Sequence, residues 1–324
     1  MRPPESHHEI ETRTMMSCDI EVRVPASIGN MGSGFDALSA AVCLYLSVKA
    51  TWTPDVPGPR TFEFIDFELA GENLIERALV AAADRYDTRT PSMRIEVRTE
   101  IPLRAGLGSS AAATVAGLRL YEAVNGQRPM EELLGIATAI EGHPDNAAAA
   151  LLGGLVGSCQ RDDGSVTALS SPWPESVRFL ILTPEVQLST ASARRVLPDR
   201  LDRADAIFNL QRVALLLQAL ERGRHDLLRE ALRDRWHQPY RQSLVPGLDA
   251  ALAMEHPDLL GVCLSGSGPS IVALAGANVA AVESLFAKTY EPLGIPFQIR
   301  TLSAHPATEP STEPPLAAST RLEC

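Results

Sequence analysis

The sequence predicts an α+β fold. Strand-like and helix-like stretches interleave without the regular β-α-β alternation of a doubly wound parallel sheet, no internal repeat is visible, and 324 residues with 45% hydrophobic content suffice for two domains or one large one. In chain order, residues 20–24 alternate as a strand, and residues 44–52 and 61–69 read as two more. Residues 73–86 follow as a helix. Met93, Ile95 and Val97 then alternate with Arg94, Glu96 and Arg98, the period of a half-buried strand. Ala113, Ala116, Leu120 and Val124 recur at helical spacing, and Asn125-Gly126 supplies a left-handed stop. Residues 129–140 form a helix with proline in its first turn and Glu131 and Glu132 favouring the dipole. A strand at 179–182, a long helix at 205–220, a helix around 225–233 and a strand-loop-strand across 261–275 complete the pattern. The ends read as disordered extensions without chemistry: residues 1–17 are polar and 304–324 are rich in Pro, Ser, Thr and Glu.

Composition excludes several classes. A formal charge of −11 argues against a nucleic-acid footprint. No run of about eighteen apolar residues exists and the N-terminus has no apolar signal core, so a soluble cytoplasmic protein with no membrane partner is expected. Cys18, Cys43, Cys159, Cys263 and Cys324 are scattered and odd in number, which suits reduced thiols, some of them in the core, and not a disulfide or zinc framework.

The most informative stretch is PLRAGLGSSAAA, residues 102–113, where a strand hands over to a helix beginning at Ser110. Unpaired N–H groups and the positive dipole end of that helix make an anion site, and the small residues let a phosphate approach the backbone. An ordinary tight turn would also use the glycines. Two hydroxyls, however, serve no purpose in a turn, whereas Ser109 and Ser110 can donate to phosphate or ligate magnesium. A Walker loop is excluded, because Lys49 and Lys288 are the only lysines and neither follows a glycine. A dinucleotide fingerprint is disfavoured, because Ala111 replaces its third glycine.

Four other segments combine turn-forming and chemical residues. VPASIGNMGSGFDAL, residues 24–38, adds Asn30 and Asp36 to an irregular glycine backbone that a surface loop would also explain. EGHPDNAAAALLGG, residues 141–154, packs a carboxylate, an imidazole and an amide into six residues; a plain helix connection with Asp145 or Asn146 as cap explains only PDN. QLSTASARRVLP, residues 187–198, brings Thr190 and an Arg194-Arg195 pair that would otherwise be a solvated face, and CLSGSGPSIVAL, residues 263–274, reads equally as a hairpin turn.

In their order, P-A-[ST]-x-x-N-x-G-x-G-F-D, P-x-x-x-G-L-G-S-S-A-A, E-G-H-P-D-N, S-T-x-x-A-R-x-x-L-P, P-Y-R and L-S-G-[SA]-G-P resemble the GHMP small-molecule kinases, and within them the homoserine kinase family, over about residues 21–300. The resemblance implies an N-terminal ATP-binding domain (18–170) of ribosomal-protein-S5-like type and a ferredoxin-like C-terminal domain (171–303). It implies phosphorylation of L-homoserine in threonine biosynthesis, with ATP and Mg2+ as cofactors and a homodimeric assembly. Pro102, Leu103, Arg104, Ala105, Gly106, Leu107, Gly108, Ser109, Ser110, Ala111 and Ala112 would hold the ATP phosphates, and Asn73 would lie near the nucleoside. Ser110 and Glu141 would ligate magnesium. Homoserine would be held by Asn30, Asp36, His143, Thr190, Arg194 and Arg241, types that suit a zwitterion: guanidinium for its carboxylate, carboxylate for its ammonium. Residues 265–269 would pack beside both sites.

Related kinases place an aspartate base where this chain has Asn146, which takes no proton at neutral pH. The implied catalytic set is therefore Ser110, Glu141 and Asn146 around a direct in-line attack, with positioning and charge neutralisation in place of a base. Asp145 is adjacent, but its position suits a helix cap. The pattern departs from the family at Ser27, Ile28, Gly29 and Ser33, which implies a more flexible loop with one polar group fewer. An isoprenoid or sugar kinase would carry an aspartate near residue 146 and lack Asp36, Arg194 and Arg241. A non-catalytic nucleotide-binding regulator would have lost Ser110, Glu141 or the loop glycines.

Overall fold

A computed structural model describes residues 17–54, 58–69 and 71–308. Its first half comprises β1 (Cys18–Gly29), β2 (Leu38–Trp52), β3 (Arg60–Phe64), α1 (Leu74–Arg85), β4 (Met93–Thr99), α2 (Ser109–Asn125), α3 (Met130–Glu141), α4 (Asp145–Leu152), β5 (Leu155–Gln160) and β6 (Val166–Ser171). Its second half comprises β7 (Arg178–Pro184), α5 (Thr190–Arg195), α6 (Arg203–Glu221), α7 (Leu228–Ala231), α8 (Gln238–Arg241), α9 (Leu248–Leu252), β8 (Leu259–Leu264), β9 (Ile271–Ala275), α10 (Val279–Tyr290) and β10 (Phe297–Leu302).

The first sheet is mixed, in the order β3-β4-β2-β5-β6, with β1 antiparallel to β2 and β3 parallel to β4. The second is antiparallel, in the order β10-β7-β9-β8, which is 4-1-3-2 in that half's own count. Both faces of the second sheet are buried. Phe179 and Ile181 of β7, with Val272 and Leu274 of β9, join the core of the first half, while Leu180, Leu182, Ile271 and Ala273 face a second core containing Phe286 and Tyr290 of α10.

Alanine and glycine in α2 and α4 let helices pack closely. A Cβ on Gly117 of α2 would land on the Ile75 carbonyl of α1. This spacing fixes where the N-terminus of α2 points, and hence where an anion would sit.

The expected elements appear with shifted ends. β1 runs on to Gly29 and β2 starts at Leu38, because Ala26, Ile28, Ala40 and Ala41 are fully buried between sheet and helices and show no alternation. β3 stops at Phe64, short of the 61–69 strand read from sequence. The strands β5, β6 and β10 and the helix α10 had no clear signal. Residues 26–29, expected to form a flexible loop, are the buried end of β1, and a Cβ at Gly29 would strike the side chains of Asp145 and Asn146.

The C-terminal extension was expected to begin at 304. Through Thr308 the chain is instead tied to the first half: Ala304 bridges Val42, His305 donates its amide to Ala41 (2.9 Å) and accepts from Gly154 (2.9 Å), and Thr308 donates to Leu152 (2.7 Å). The N-terminal extension through residue 16, the rest of the C-terminal one and Cys324 lie outside the described residues. Cys18, Cys43, Cys159 and Cys263 are free thiols, Cys263 in the core. No helix among the described residues is long and apolar enough to cross a membrane.

Candidate active site

The loop after β4 is clamped before it reaches α2. Leu107 and Ala105 are buried, and their carbonyls accept from Ser27 (3.1 Å) and Ser270 (3.1 Å). The Gly106 carbonyl accepts from Ser265 Oγ at 2.7 Å. A Cβ on Gly106, whose φ is +76°, would land on the Ser265 carbonyl oxygen, and one on Gly108 (φ +69°) on the Ser27 hydroxyl. Both glycines are thus required for backbone conformation and close approach together. The first intrahelical bond of α2 is Ala112 N–H to Gly108, 2.8 Å, so the amides of Ser109, Ser110 and Ala111 are left for a ligand.

These residues form one wall of a cavity of about 380 Å³. Arg104, Gly106, Gly108, Ser109, Ser110 and Ala111 line it from the loop. Pro102, Leu103, Ala105, Leu107 and Ala112 do not: Leu103 points to solvent, and the last three pack in the core. Asn73 is also absent from the lining. It caps α1, its Oδ1 accepting from Glu76 N–H at 3.3 Å, which replaces the expected contact with a nucleoside by a structural one.

Glu141, at the end of α3, lines the same wall. Its Oε1 accepts from Ser110 Oγ (2.8 Å) and from Thr114 Oγ1 (2.7 Å), leaving Oε2 without a partner. A carboxylate oxygen and a serine hydroxyl at this separation form a hard, two-ligand oxygen set. Such a set fits Mg2+, which keeps several waters and rarely takes a full protein cage.

The opposite wall carries Asn30, Asp36, His143, Asn146, Thr190, Arg194 and Arg241, so every residue expected to hold homoserine lies in one place. Asp36, held at φ +53°, accepts a bidentate fork from Arg194 (2.7 and 3.0 Å). The expectation of a free carboxylate and a free guanidinium is therefore corrected: the two are paired with each other. Asn30 also does structural work. Its Oδ1 accepts from the Asp36 amide (2.9 Å) and its Nδ2 donates to Gly266 (2.8 Å), closing the 30–36 loop onto the β8-β9 turn. Thr190 Oγ1 lies 3.4 Å from Ser267 Oγ.

Arg241 is 1% exposed, yet its guanidinium reaches the cavity. Nε donates to Ala193 (3.1 Å) and Nη1 to Gly266 (3.0 Å), while Nη2 has no partner among the described residues. Burial, with help from the Arg194 charge, pushes its pKa down to about 10, which still leaves it a cation at neutral pH.

Asp145 is not the expected cap. The helix α4 has no side-chain cap; instead Asp145, 1% exposed, binds His143 Nδ1 through Oδ1 (2.6 Å) and accepts from Asn146 Nδ2 through Oδ2 (3.3 Å). Burial pulls the His143 pKa down, but the hydrogen bond and charge of Asp145, with Asp36 behind it, outweigh burial and raise it above the ordinary imidazole value. Asn146 Oδ1 accepts from Ser27 Oγ (2.9 Å).

Sequence reading missed Leu188, Ser189, Gly266 and Ser267 in the lining, and Thr114 and His237 behind it. The last two had a signal: Thr114 is one helical turn from Ser110 and His237 one turn before Arg241, the i,i+4 spacing that stacks side chains on one face.

The GHMP kinases N terminal domain model matches residues 73–154 and the GHMP kinases C terminal model residues 216–291. The chain is similar to homoserine kinase from Solibacter usitatus, 40% identical over 78% of this chain and 83% of that one. It is also similar to homoserine kinase from Microchaete diplosiphon, 39% identical over 88% and 94%. Among solved structures, homoserine kinase from Cytophaga hutchinsonii superimposes with a TM-score of 0.79 at 27% identity, covering 89% of this chain and 96% of that one. The Methanococcus jannaschii mevalonate kinase shares the fold, with a TM-score of 0.63 over 89% and 98% at 15% identity.

Proposed function

The chain belongs to the homoserine kinases of the GHMP family, and we propose that it transfers the γ-phosphoryl group of ATP to the side-chain hydroxyl of L-homoserine, a cytoplasmic step of threonine biosynthesis. The observation that carries this reading is one cavity with two chemically distinct walls: the amide-rich start of α2 beside Glu141, and Asp36 with two arginines opposite. An ADP-release assay across homoserine, mevalonate, shikimate and galactose tests it. Turnover with homoserine is expected; turnover with another of these alcohols and none with homoserine overturns the reading.

The α2 amides receive the ATP phosphates. Ser110 and Glu141 hold Mg2+, which neutralises phosphate charge and so supports transfer through a loose transition state. Arg194 and Arg241 take the homoserine carboxylate, and Asp36 takes its ammonium, so the zwitterion inserts into the existing ion pair with alternating signs.

No side-chain base is needed in this arrangement. The amide of Asn146 is committed to Ser27 and Asp145. His143, with its protonated form favoured by Asp145, is better suited to donate toward an anion than to remove a hydroxyl proton. Asn146→Ala is expected to slow turnover by less than about tenfold, whereas loss of a general base costs about 10²–10⁴. Single-turnover rates on that variant decide the matter, and a drop of several orders of magnitude sinks the base-free mechanism.

Two features of α6 support a homodimer. Ile207, Leu210 and Leu217 face solvent, Leu210 with 70% of its surface exposed, and Ala214 lies between them on the same stripe. Antiparallel pairing of two α6 helices mates Ile207 with Leu217 and Leu210 with Ala214. The same register sets Arg203 against Glu221 and Asp202 against Arg222, as an isologous interface requires. Sedimentation equilibrium should show a dimer that Arg203→Glu weakens and Arg203→Glu with Glu221→Arg restores. A monomeric wild type rejects the dimer, and a dimer indifferent to these changes rejects this face.

A further inference from the structure

We propose that His237, which does not line the cavity, is a positioning residue that sets the Arg241 guanidinium for the homoserine carboxylate; this rests on the assignment of that carboxylate to Arg241. The ring of His237 is fully buried and joins two walls of the site. Nε2 lies 2.7 Å from the Gly32 carbonyl, in the loop that carries Asn30 and Asp36, and Nδ1 lies 3.2 Å from Arg241 Nη1.

The partners dictate the tautomer. A carbonyl only accepts and a guanidinium only donates, so Nε2 carries the proton and Nδ1 offers its lone pair. A neutral imidazole of this one form acts as a spacer of fixed length between the side of the pocket that takes an ammonium and the side that takes a carboxylate. Burial, which lowers the pKa of the ring, favours the same neutral form.

The ring is itself immobilised. Asp234 gathers the turn before α8: Oδ1 accepts from Trp236 N–H (2.7 Å) and Asn209 Nδ2 (2.6 Å), and Oδ2 from His237 N–H (2.9 Å) and Gln238 N–H (2.7 Å). Phe35 stacks on the imidazole with centroids 5.4 Å apart, and the Arg194 and Arg241 guanidinium carbons each lie 5.4 Å from the centroid of the Phe35 ring. Arg241 keeps bonds to Ala193 and Gly266 whatever stands at 237. The contribution of His237 is therefore the orientation of the guanidinium plane relative to Asp36, a property felt in homoserine binding and not in ATP binding.

The test is steady-state kinetics on His237→Ala, His237→Asn and His237→Gln, with melting temperatures recorded alongside. Alanine is expected to raise KM for homoserine about tenfold and leave KM for ATP unchanged. Asparagine places an acceptor oxygen where Nδ1 stood and should stay within about twofold of wild type; glutamine reaches Gly32 but not Arg241 and should resemble alanine. His237→Ala with Arg241→Ala should be no worse than Arg241→Ala alone. Equal behaviour of the asparagine and glutamine variants, or multiplying effects in the double variant, overturns the proposal. An unchanged homoserine KM in Arg241→Ala overturns the carboxylate assignment beneath it, whereas a raised KM there with none in His237→Ala overturns His237 alone.

Discussion

Glu141→Gln is expected to lower kcat/KM by about 10²–10³, or roughly 3–4 kcal/mol of transition-state stabilisation. The argument starts from the two oxygens of the carboxylate. Oε1 receives hydrogen bonds from Ser110 and Thr114, a load that a glutamine carbonyl oxygen can also carry, so the start of α2 and the end of α3 stay joined. What glutamine lacks is the negative charge on a hard oxygen ligand. The apparent affinity for Mg2+ should therefore fall, excess Mg2+ should restore part of the rate, and the melting temperature should change little. Glu141→Ala combines two effects, because it also strands the fully buried Thr114 hydroxyl, which costs about 1–3 kcal/mol of stability. Ser110→Ala should share the kinetic loss without that penalty, since Ser110 is exposed. A glutamine variant with wild-type turnover and Mg2+ dependence would remove Glu141 from the metal site.

What the sequence disclosed of this site follows a physical division. Local chemistry was legible: the strand, glycine-serine loop and helix from Met93 to Asn125 appear within a residue or two of expectation, because periodicity and turn residues are encoded nearby. The candidate residues gather in one cavity because each sits at the end of an element, where loops meet. Partnerships across the chain were not legible. That Asp36 is forked by Arg194, 158 residues away, or that Asp145 orients His143 and leaves α4 uncapped, depends on the packing of one half against the other. Pattern reading failed for the same reason at the ends of β1 and β2, where small buried residues have no polar face to alternate with. Asn73 shows the converse error. It stands where the resemblance suggests a nucleoside contact, and its amide is spent on closing a helix.

The pairing of Asp36 with Arg194 leads to the second large effect. At this partly exposed position an ion pair is worth little to stability, about 0–1 kcal/mol, so Asp36→Asn should leave the melting temperature nearly unchanged. Recognition is a different matter. The wall contains one carboxylate facing two guanidinium groups, and Asp36 is among the charges that offset the electrostatic cost of burying Arg241 beside Arg194. Homoserine adds one charge of each sign, so its ammonium has Asp36 and its carboxylate has the arginines. Asparagine is nearly isosteric but leaves both cations in place and no counter-charge for the ammonium. An ionic contact of this kind is worth about 3 kcal/mol at an effective dielectric near 20, so kcat/KM for homoserine should fall about a hundredfold while KM for ATP holds. The diagnostic comparison is with 4-hydroxybutanoate, which keeps the hydroxyl and carboxylate and lacks the ammonium. The wild type should reject it strongly because Asp36 would be left desolvated without a partner; in Asp36→Asn that discrimination should collapse, through both weaker use of homoserine and relatively better use of the analogue. If Asp36→Asn weakens both substrates equally, Asp36 serves only to hold Arg194, and the ammonium is recognised elsewhere.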